Sequence, residues 1–405
     1  ALAKSRAALP SQPYEVSPAI SLLLPPTDRR ERAMATTDDS EATVTTLDTL
    51  DTELTADVVA FCPHPAWRHL MACGCYELIK GESPSRVGRL QLLDVTGQTM
   101  KEVHRVDGPG ILDCAWLVKG DEPPLLAAAT ADCTAQLYRL DSDGTLSDVG
   151  ALACPDAGDA CMSLDWCSAD QGPARLALSS TAGRLFVLEA APTGMRCLHA
   201  WGAHDLEGWS VAFDRADPST LYSGGDDAIL KRWDLRTASN DDGDCVATTL
   251  NRRSHGAGVC CISPHALKPH LVATGSYDEK ARLWDTRNLR QPTFELGCGG
   301  GVWRLKWHPE DSGLALAACM HAGFKVVRLD GSHASDGEPT SLREVAAYGQ
   351  GTGACIKAAG IVEGGAGLAY GADWAHPGPD ADTALAGTCS FYDHTLHLWA
   401  LSEVR

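Results

Sequence analysis

Hydrophobic and polar positions alternate along most of the chain in short runs broken by Gly, Asp and Pro. This is the signature of brief, half-buried strands joined by turns. Two segments carry the pattern most completely. Leu221–Asp234 reads LYSGGDDAILKRWD and Val272–Asp285 reads VATGSYDEKARLWD. Each has Ser or Thr, then Gly, a polar turn with Asp, an alternating strand and Trp-Asp. His204 stands 29 positions before Trp233, and His255 stands 29 positions before Trp284. Four residue types at equal spacing in two segments mark an internal repeat.

Weaker copies follow the same frame. The first covers 54–95, ends in Leu92-Leu93-Asp94 and has an insertion near Lys80–Arg86. The second covers 109–140, with Asp132 in the turn and Tyr138 in place of Trp. Others cover 159–189, 300–330 and 368–400, where Trp399 restores the indole. With the two strong copies the total is seven. The segment Thr43–Leu50 alternates but lacks a copy of its own, so it is expected to supply the outer strand of the last sheet and close a ring. Residues 331–367, rich in Gly, Ala and Ser, are expected to form an inserted loop between the sixth and seventh copies.

These residues resemble the WD-repeat family, and the resemblance implies an all-β, seven-bladed WD40 β-propeller. It also implies a hydrogen-bonded tetrad within a blade: His204, Ser223, Asp227 and Trp233 in the fourth, and His255, Thr274, Asp278 and Trp284 in the fifth. A buried indole, hydroxyl, imidazole and carboxylate each need a partner and can satisfy one another. Those side chains are therefore assigned a structural role.

Composition narrows the function. The net charge of −19 disfavours nucleic acid and acidic membranes and favours basic partners. The longest apolar runs, Leu125–Ala129 and Leu314–Ala318, are far too short to span a bilayer. Sixteen cysteines are scattered along the chain without the C-x-x-C pairs of structural zinc, so buried free thiols in a reducing compartment are expected, with no metal and no cofactor. Residues 1–33 lack an initial Met and carry Lys4, Arg6, Arg29, Arg30 and Arg32. They read either as a transit-like segment or as an extension upstream of Met34. Residues 1–40 are accordingly set apart from the propeller, which is assigned to 41–405.

Several segments outside the tetrads are similar to the diphthine methylesterase family, whose members are also called diphthine methyltransferases. They are DTELTADVVAFCP (51–63), YSGGDDAILKRWDLR (222–236), ATGSYDEKARLWDTRNLRQP (273–292) and GGVWRLKWHP (300–309), continued by AACMHAGFKV (317–326) and TCSFYDHTLHLW (388–399). The resemblance implies a cytoplasmic carboxyl methyl ester hydrolase. Its substrate would be the methyl ester of diphthine, a modified histidine of translation elongation factor 2, and water would release methanol and leave diphthine. Two alternatives stay open: a non-catalytic interaction scaffold, and a ubiquitin-ligase substrate receptor whose adaptor would contact the Trp-Asp-x-Arg motifs at 233–236 and 284–287.

Neither G-x-S-x-G nor H-E-x-x-H occurs, so any chemistry is assembled from separate blades. Aligning the copies puts Asp57, Leu112, Met162, Trp209, Cys260, Trp303 and Tyr370 first on the innermost strands. Asp226, Tyr277, Met320 and Tyr392 stand before the turn residue in blades four to seven. In the family resembled, both positions point to one rim. Diphthine carries a trimethylammonium group, which aromatic faces and nearby carboxylates can hold. Trp209, Trp303, Tyr277, Tyr370 and Tyr392 are candidates for such a cage, with Asp226 or Glu207 adding charge. An ordinary protein-binding rim is the competing role. His321, which takes the place of the turn Asp, is the candidate base, with Asp226 beside it among the catalytic candidates. A plain replacement of that Asp is the alternative for His321, and His394 and Cys260 are weaker candidates.

Overall fold

The computed structural model describes residues 42–79, 85–167, 173–191, 194–238, 245–331, 339–348, 367–378 and 383–402. The segment set apart at 1–40 lies outside them. Among the described residues, 28 strands (β1 to β28) form seven four-stranded antiparallel sheets. The innermost strands are β2 (Ala56–Phe61), β6 (Ile111–Leu117), β10 (Cys161–Cys167), β14 (Gly208–Phe213), β18 (Val259–Pro264), β22 (Arg304–Trp307) and β26 (Ala369–Trp374). Each packs against the next, and β2 packs against β26, so the sheets close into a ring around an axial channel. The chain is a seven-bladed β-propeller.

The strand β1 (Thr43–Asp51) pairs with β28 (Thr395–Ser402) as the outermost strand of blade seven, from Thr43 opposite Ser402 to Asp51 opposite Thr395. The alternating run at 43–50 therefore closes the ring as its pattern predicts. Thr52 strengthens the seam, donating from its backbone N (2.8 Å) and its hydroxyl (2.9 Å) to the carbonyl of His394.

Outer strands were the weak point of the sequence pattern. The expected loop at 331–367 contains β25 (Ser341–Tyr348), the fourth strand of blade six, paired with β24 (Phe324–Asp330). The rest of that expected loop, 332–338 and 349–366, lies outside the described residues. Blades two and three likewise extend beyond 140 and 189 to β9 (Leu146–Ala153) and β13 (Gly194–Gly202). Such strands touch the protein on one face only, and their residues are mostly half-buried or exposed. A run like SLREVAAY thus lacks the continuous apolar character of inner strands such as ADVVAF, which are buried throughout.

Adjacent blades are stapled by indoles. Trp116, Trp166, Trp307 and Trp374 each donate Nε1–H to a carbonyl of the preceding blade: Ala60 (3.1 Å), Ala115 (2.9 Å), Ser263 (3.0 Å) and Lys306 (3.2 Å). Carboxylates do the converse. Asp113, Asp165 and Asp373 accept from the backbone N of Leu164, Phe213 and Phe61 on the following blade, at 3.0, 2.8 and 2.8 Å. Each staple fulfils a buried donor or acceptor that the ladders leave free.

Blade four contains the full tetrad. Trp233 donates Nε1–H to Ser223 Oγ (2.8 Å), Ser223 lies 2.8 Å from His204 Nε2, and His204 Nδ1 donates to Asp227 (2.9 Å). Blade five departs from the expectation. Trp284 donates to Thr274 Oγ1 (2.9 Å), and Thr274 lies 2.9 Å from His255 Nε2. Asp278, however, turns to Arg282 (2.7 and 2.9 Å) and to the backbone N of Gly256 (2.7 Å), leaving His255 Nδ1 without a partner. The cause is the residue four beyond the turn Asp. Lys231 in blade four reaches the Ala203 carbonyl, whereas the Arg282 fork captures its carboxylate in a bidentate pair.

Ser223→Ala strands both the Trp233 N–H and His204 Nε2, so it is expected to lower stability by about 2–4 kcal/mol, read from urea unfolding. Burial holds the imidazoles of His255 and His397 down to about 4. Unfolded imidazoles titrate near 6.5, so between these values the unfolded chain binds more protons and stability falls as pH drops. Urea unfolding at pH 5 should show a loss of about 2 kcal/mol for each of the two histidines relative to pH 7, and His397→Gln should remove its share.

Candidate functional site

One backbone irregularity builds the mouth of the channel. In six blades the innermost strand skips a residue in its register with the second strand, between Ala56/Val58, Ile111/Asp113, Cys161/Ser163, Gly208/Ser210, Val259/Cys261 and Ala369/Gly371. The skipped residues are Asp57, Leu112, Met162, Trp209, Cys260 and Tyr370. These bulges turn side chains out of the ladder toward one end of the channel. In blade six Trp303 immediately precedes β22 and donates its backbone N to Ala318 (2.8 Å).

The structure joins four of the five aromatic candidates directly. Trp209 lies 5.2 Å from Trp303 and 5.8 Å from Tyr277, both edge-on, and Trp303 stacks on Tyr370 at 4.7 Å. The row continues to Phe391 (4.8 Å from Tyr370) and then to Tyr76 (5.2 Å). Tyr392 is exposed and meets the row only through Phe391, at 5.0 Å. Blade seven has one extra residue between Thr388 and Trp399, which moves Phe391 into the mouth where Tyr392 was expected. Phe391 and Tyr76 are mouth residues that the alignment of blades overlooked.

Trp209, Tyr277 and Trp303 touch one another, at 5.2–6.0 Å between centroids. A quaternary ammonium needs about 4–6 Å from each ring centre, so it cannot lie between them; the outward faces are the only ones open to it. Asp226 sits beside this cluster. Its Oδ1 and the Tyr277 ring both crowd the Cα of Gly258, where a Cβ would come within 2.9 and 3.3 Å of them. Burial, then the neighbouring Glu207, raises the pKa of Asp226, while the Trp209 indole lowers it. Trp209 Nε1 approaches that carboxylate without the geometry of a hydrogen bond, and Trp303 Nε1 is buried with no acceptor among the described residues.

Asp57 is a titratable group that the alignment of blades put on the rim but to which it gave no chemical role. It is 3% exposed and has no hydrogen-bond partner among the described residues. Burial pushes its carboxyl up to about 7; Arg304 draws it down, and Asp113 pushes it further up. Arg304 is committed to Asp113, donating from Nη1 at 2.9 Å, and its Nε has no partner. An acid within the apolar run ADVVAF and an arginine within VWRLKW were the available signals.

The other candidates fare differently. His321 is exposed in the turn after β23 (Leu314–Ala318), with no hydrogen-bond partner among the described residues to orient its ring. His394 adopts a positive φ of 57° and serves the ring seam through its carbonyl. Cys260 is buried, its thiol pushed up by burial and directed at the Gly258 carbonyl, which makes it a poor nucleophile. Among the described residues no cluster of His, Cys, Asp and Glu suits a metal ion. Toward the far end of the channel a polar cavity of about 210 Å³ follows the inner strands, lined by Asp165, Arg215, Arg304 and Lys306 among others.

Comparison with known proteins agrees with this architecture. A family model described as WD domain, G-beta repeat, matches residues 241–285. A chain of the mitotic checkpoint complex crystal structure superposes with a TM-score of 0.63 at 14% identity, covering 95% of this chain and 100% of its own, and so shares the fold. Human diphthine methyltransferase is 38% identical over 329 residues, 73% of this chain and 71% of the human protein. The mouse protein of the same name is 38% identical over 310 residues; the match takes in 70% of this chain but only 63% of the mouse protein's length. On the strength of the human match, the chain belongs to the diphthine methyltransferase family.

Proposed function

We propose that this protein is a carboxyl methyl ester hydrolase that removes the methyl group from diphthine methyl ester on translation elongation factor 2, within diphthamide biosynthesis. The family gives the pathway, and the mouth supplies chemistry suited to the substrate. The carrying observation is the contiguous row from Trp209 to Tyr370 beside Asp226, which offers aromatic faces and negative charge to a trimethylammonium group. A net charge of −19 favours approach by a basic protein. No helix of the described residues is long and apolar enough to cross a membrane.

The Trp-Asp-x-Arg motifs support a second reading, docking to a ubiquitin-ligase adaptor. Arg236 and Arg287 are exposed and held by Asp234 (2.8 Å) and Asp285 (2.6 Å), which makes them ready surface contacts. Methanol release separates the readings, since a pure scaffold or receptor releases none.

Purified protein incubated with elongation factor 2 carrying methylated diphthine is expected to release one methanol per modified histidine. Trp303→Ala should lower kcat/KM about ten-fold, consistent with roughly 0.5–2 kcal/mol for an aromatic–cation contact. Trp303→Phe, which keeps a ring but no N–H, should retain affinity better than Trp303→Ala. Unchanged turnover in both variants would remove the mouth from the mechanism.

A further inference from the structure

We propose that Asp57 is the catalytic base of this hydrolysis, taking the proton from the water that attacks the ester carbonyl. The inference rests on the ester hydrolase reading above and assigns its central step to a residue of blade one. The bulge between Ala56 and Val58 sets Asp57 at the mouth, on the same ring of positions as Trp209, Trp303 and Tyr370. Asp57 is 3% exposed, and its carboxylate has no hydrogen bond among the described residues, so its lone pairs are unclaimed by the protein. A buried, unpartnered carboxylate at a mouth lined mainly by apolar and aromatic side chains is costly for stability alone.

Five groups face it. Arg304 on β22 is the single cation, and it already serves Asp113 on β6. Tyr76 on β3 (Leu70–Ile79), Tyr277 in the turn after β19 (Leu271–Ser276) and Tyr370 on β26 lie within its electrostatic reach. Burial holds all three phenols protonated, so they surround Asp57 with neutral O–H dipoles rather than charge. With one cation shared between two acids, the Asp57 carboxyl titrates at about 7, the range in which a base is both available and strong enough. The rival groups lack this combination: Asp226 is exposed, His321 is unoriented and Cys260 is held as a thiol.

The step balances with water alone. The Asp57 carboxylate accepts a proton as the water oxygen bonds to the carbonyl carbon, and the carbonyl electron pair moves to oxygen. The tetrahedral intermediate then re-forms the carbonyl and breaks the bond to the methoxy oxygen. The proton on Asp57 passes to that oxygen, giving methanol, and the new carboxylic acid loses its own proton to solvent. Asp57 ends ionised, as it began.

The test is Asp57→Asn, with methanol release measured on modified elongation factor 2 from pH 5.5 to 8.5. Wild-type kcat/KM should rise through an inflection near pH 7. The variant should lose at least a hundred-fold in kcat with KM little changed, and the inflection should vanish. Thermal melting gives a readout independent of turnover. A carboxyl whose folded pKa is raised binds its proton more tightly in the folded chain, so wild-type stability falls as pH rises from about 4 to 7. Asp57→Asn should therefore melt a few degrees above wild type at pH 8 and gain little at pH 5. A wild-type profile flat across pH 7, or a variant that keeps its rate, overturns the role of Asp57 while leaving the esterase reading intact. No methanol from wild type overturns both.

Discussion

Closure of the ring between Thr43–Asp51 and Thr395–Ser402 is the constraint on which the other features depend. A single blade cannot bury both of its faces, and seven of them succeed only because each inner strand meets two neighbours. The last of these meetings, β2 against β26, exists because the first strand of the chain is laid on the last sheet. The aromatic row crosses that same seam. Tyr370 and Phe391 belong to blade seven, Tyr76 to blade one, and the rings pack at 4.8 and 5.2 Å. Pairing of β1 with β28 thus also assembles the mouth.

The channel shows what happens when charge is placed inside such a ring. The indole and carboxylate staples are local and fully partnered, so they fix the blades without leaving reactive groups behind. The trio of Asp57, Arg304 and Asp113 is different, because two acids share one guanidinium that bonds Asp113 and the Leu112 carbonyl and leaves Asp57 without a hydrogen bond among the described residues. A buried group left unpaired destabilises a fold, and it persists where surrounding packing over-determines its position. The bulge that directs Asp57 to the mouth is repeated in five other blades, where it displays Leu, Met, Trp, Cys and Tyr. The backbone device is common to all six, and the side chain it displays in blade one is the exception.

Much of the architecture was legible because the repeat is written in residues whose burial forces a partner. Trp233 with Ser223 and Trp284 with Thr274 bond as the WD-repeat resemblance implies. The closing strand was legible too, since Thr43–Leu50 alternates and no copy claims it. Outer strands were not, because one exposed face dilutes the pattern until Ser341–Tyr348 resembles a loop. At the mouth, blade alignment found Trp209, Tyr277, Trp303 and Tyr370 but failed in blade seven, where an extra turn residue exchanges Tyr392 for Phe391. Asp57 was placed on the rim but given no role, for a different reason: its importance lies in neighbours from blades two, five, six and seven, which no local window contains.

The tetrads show how one side chain can override a repeat. Blades four and five place the same four residue types at the same spacing, yet only blade four completes the chain from indole to carboxylate. The ammonium of Lys231 stays 3.8 Å from Asp227 and leaves its oxygens free to bond His204, whereas the planar fork of Arg282 engages both oxygens of Asp278. His255 remains buried beside a cation, with one nitrogen unsatisfied. Blade six goes further, with Ala317 and Val327 where the hydroxyl and indole would stand, both buried in apolar packing. Hydrogen-bonded tetrads are therefore not what every blade requires; contact between neighbouring sheets is. That freedom allows the turns of blades five to seven to carry Tyr277, Met320 and Phe391 into the mouth, while the sheets beneath them keep one geometry.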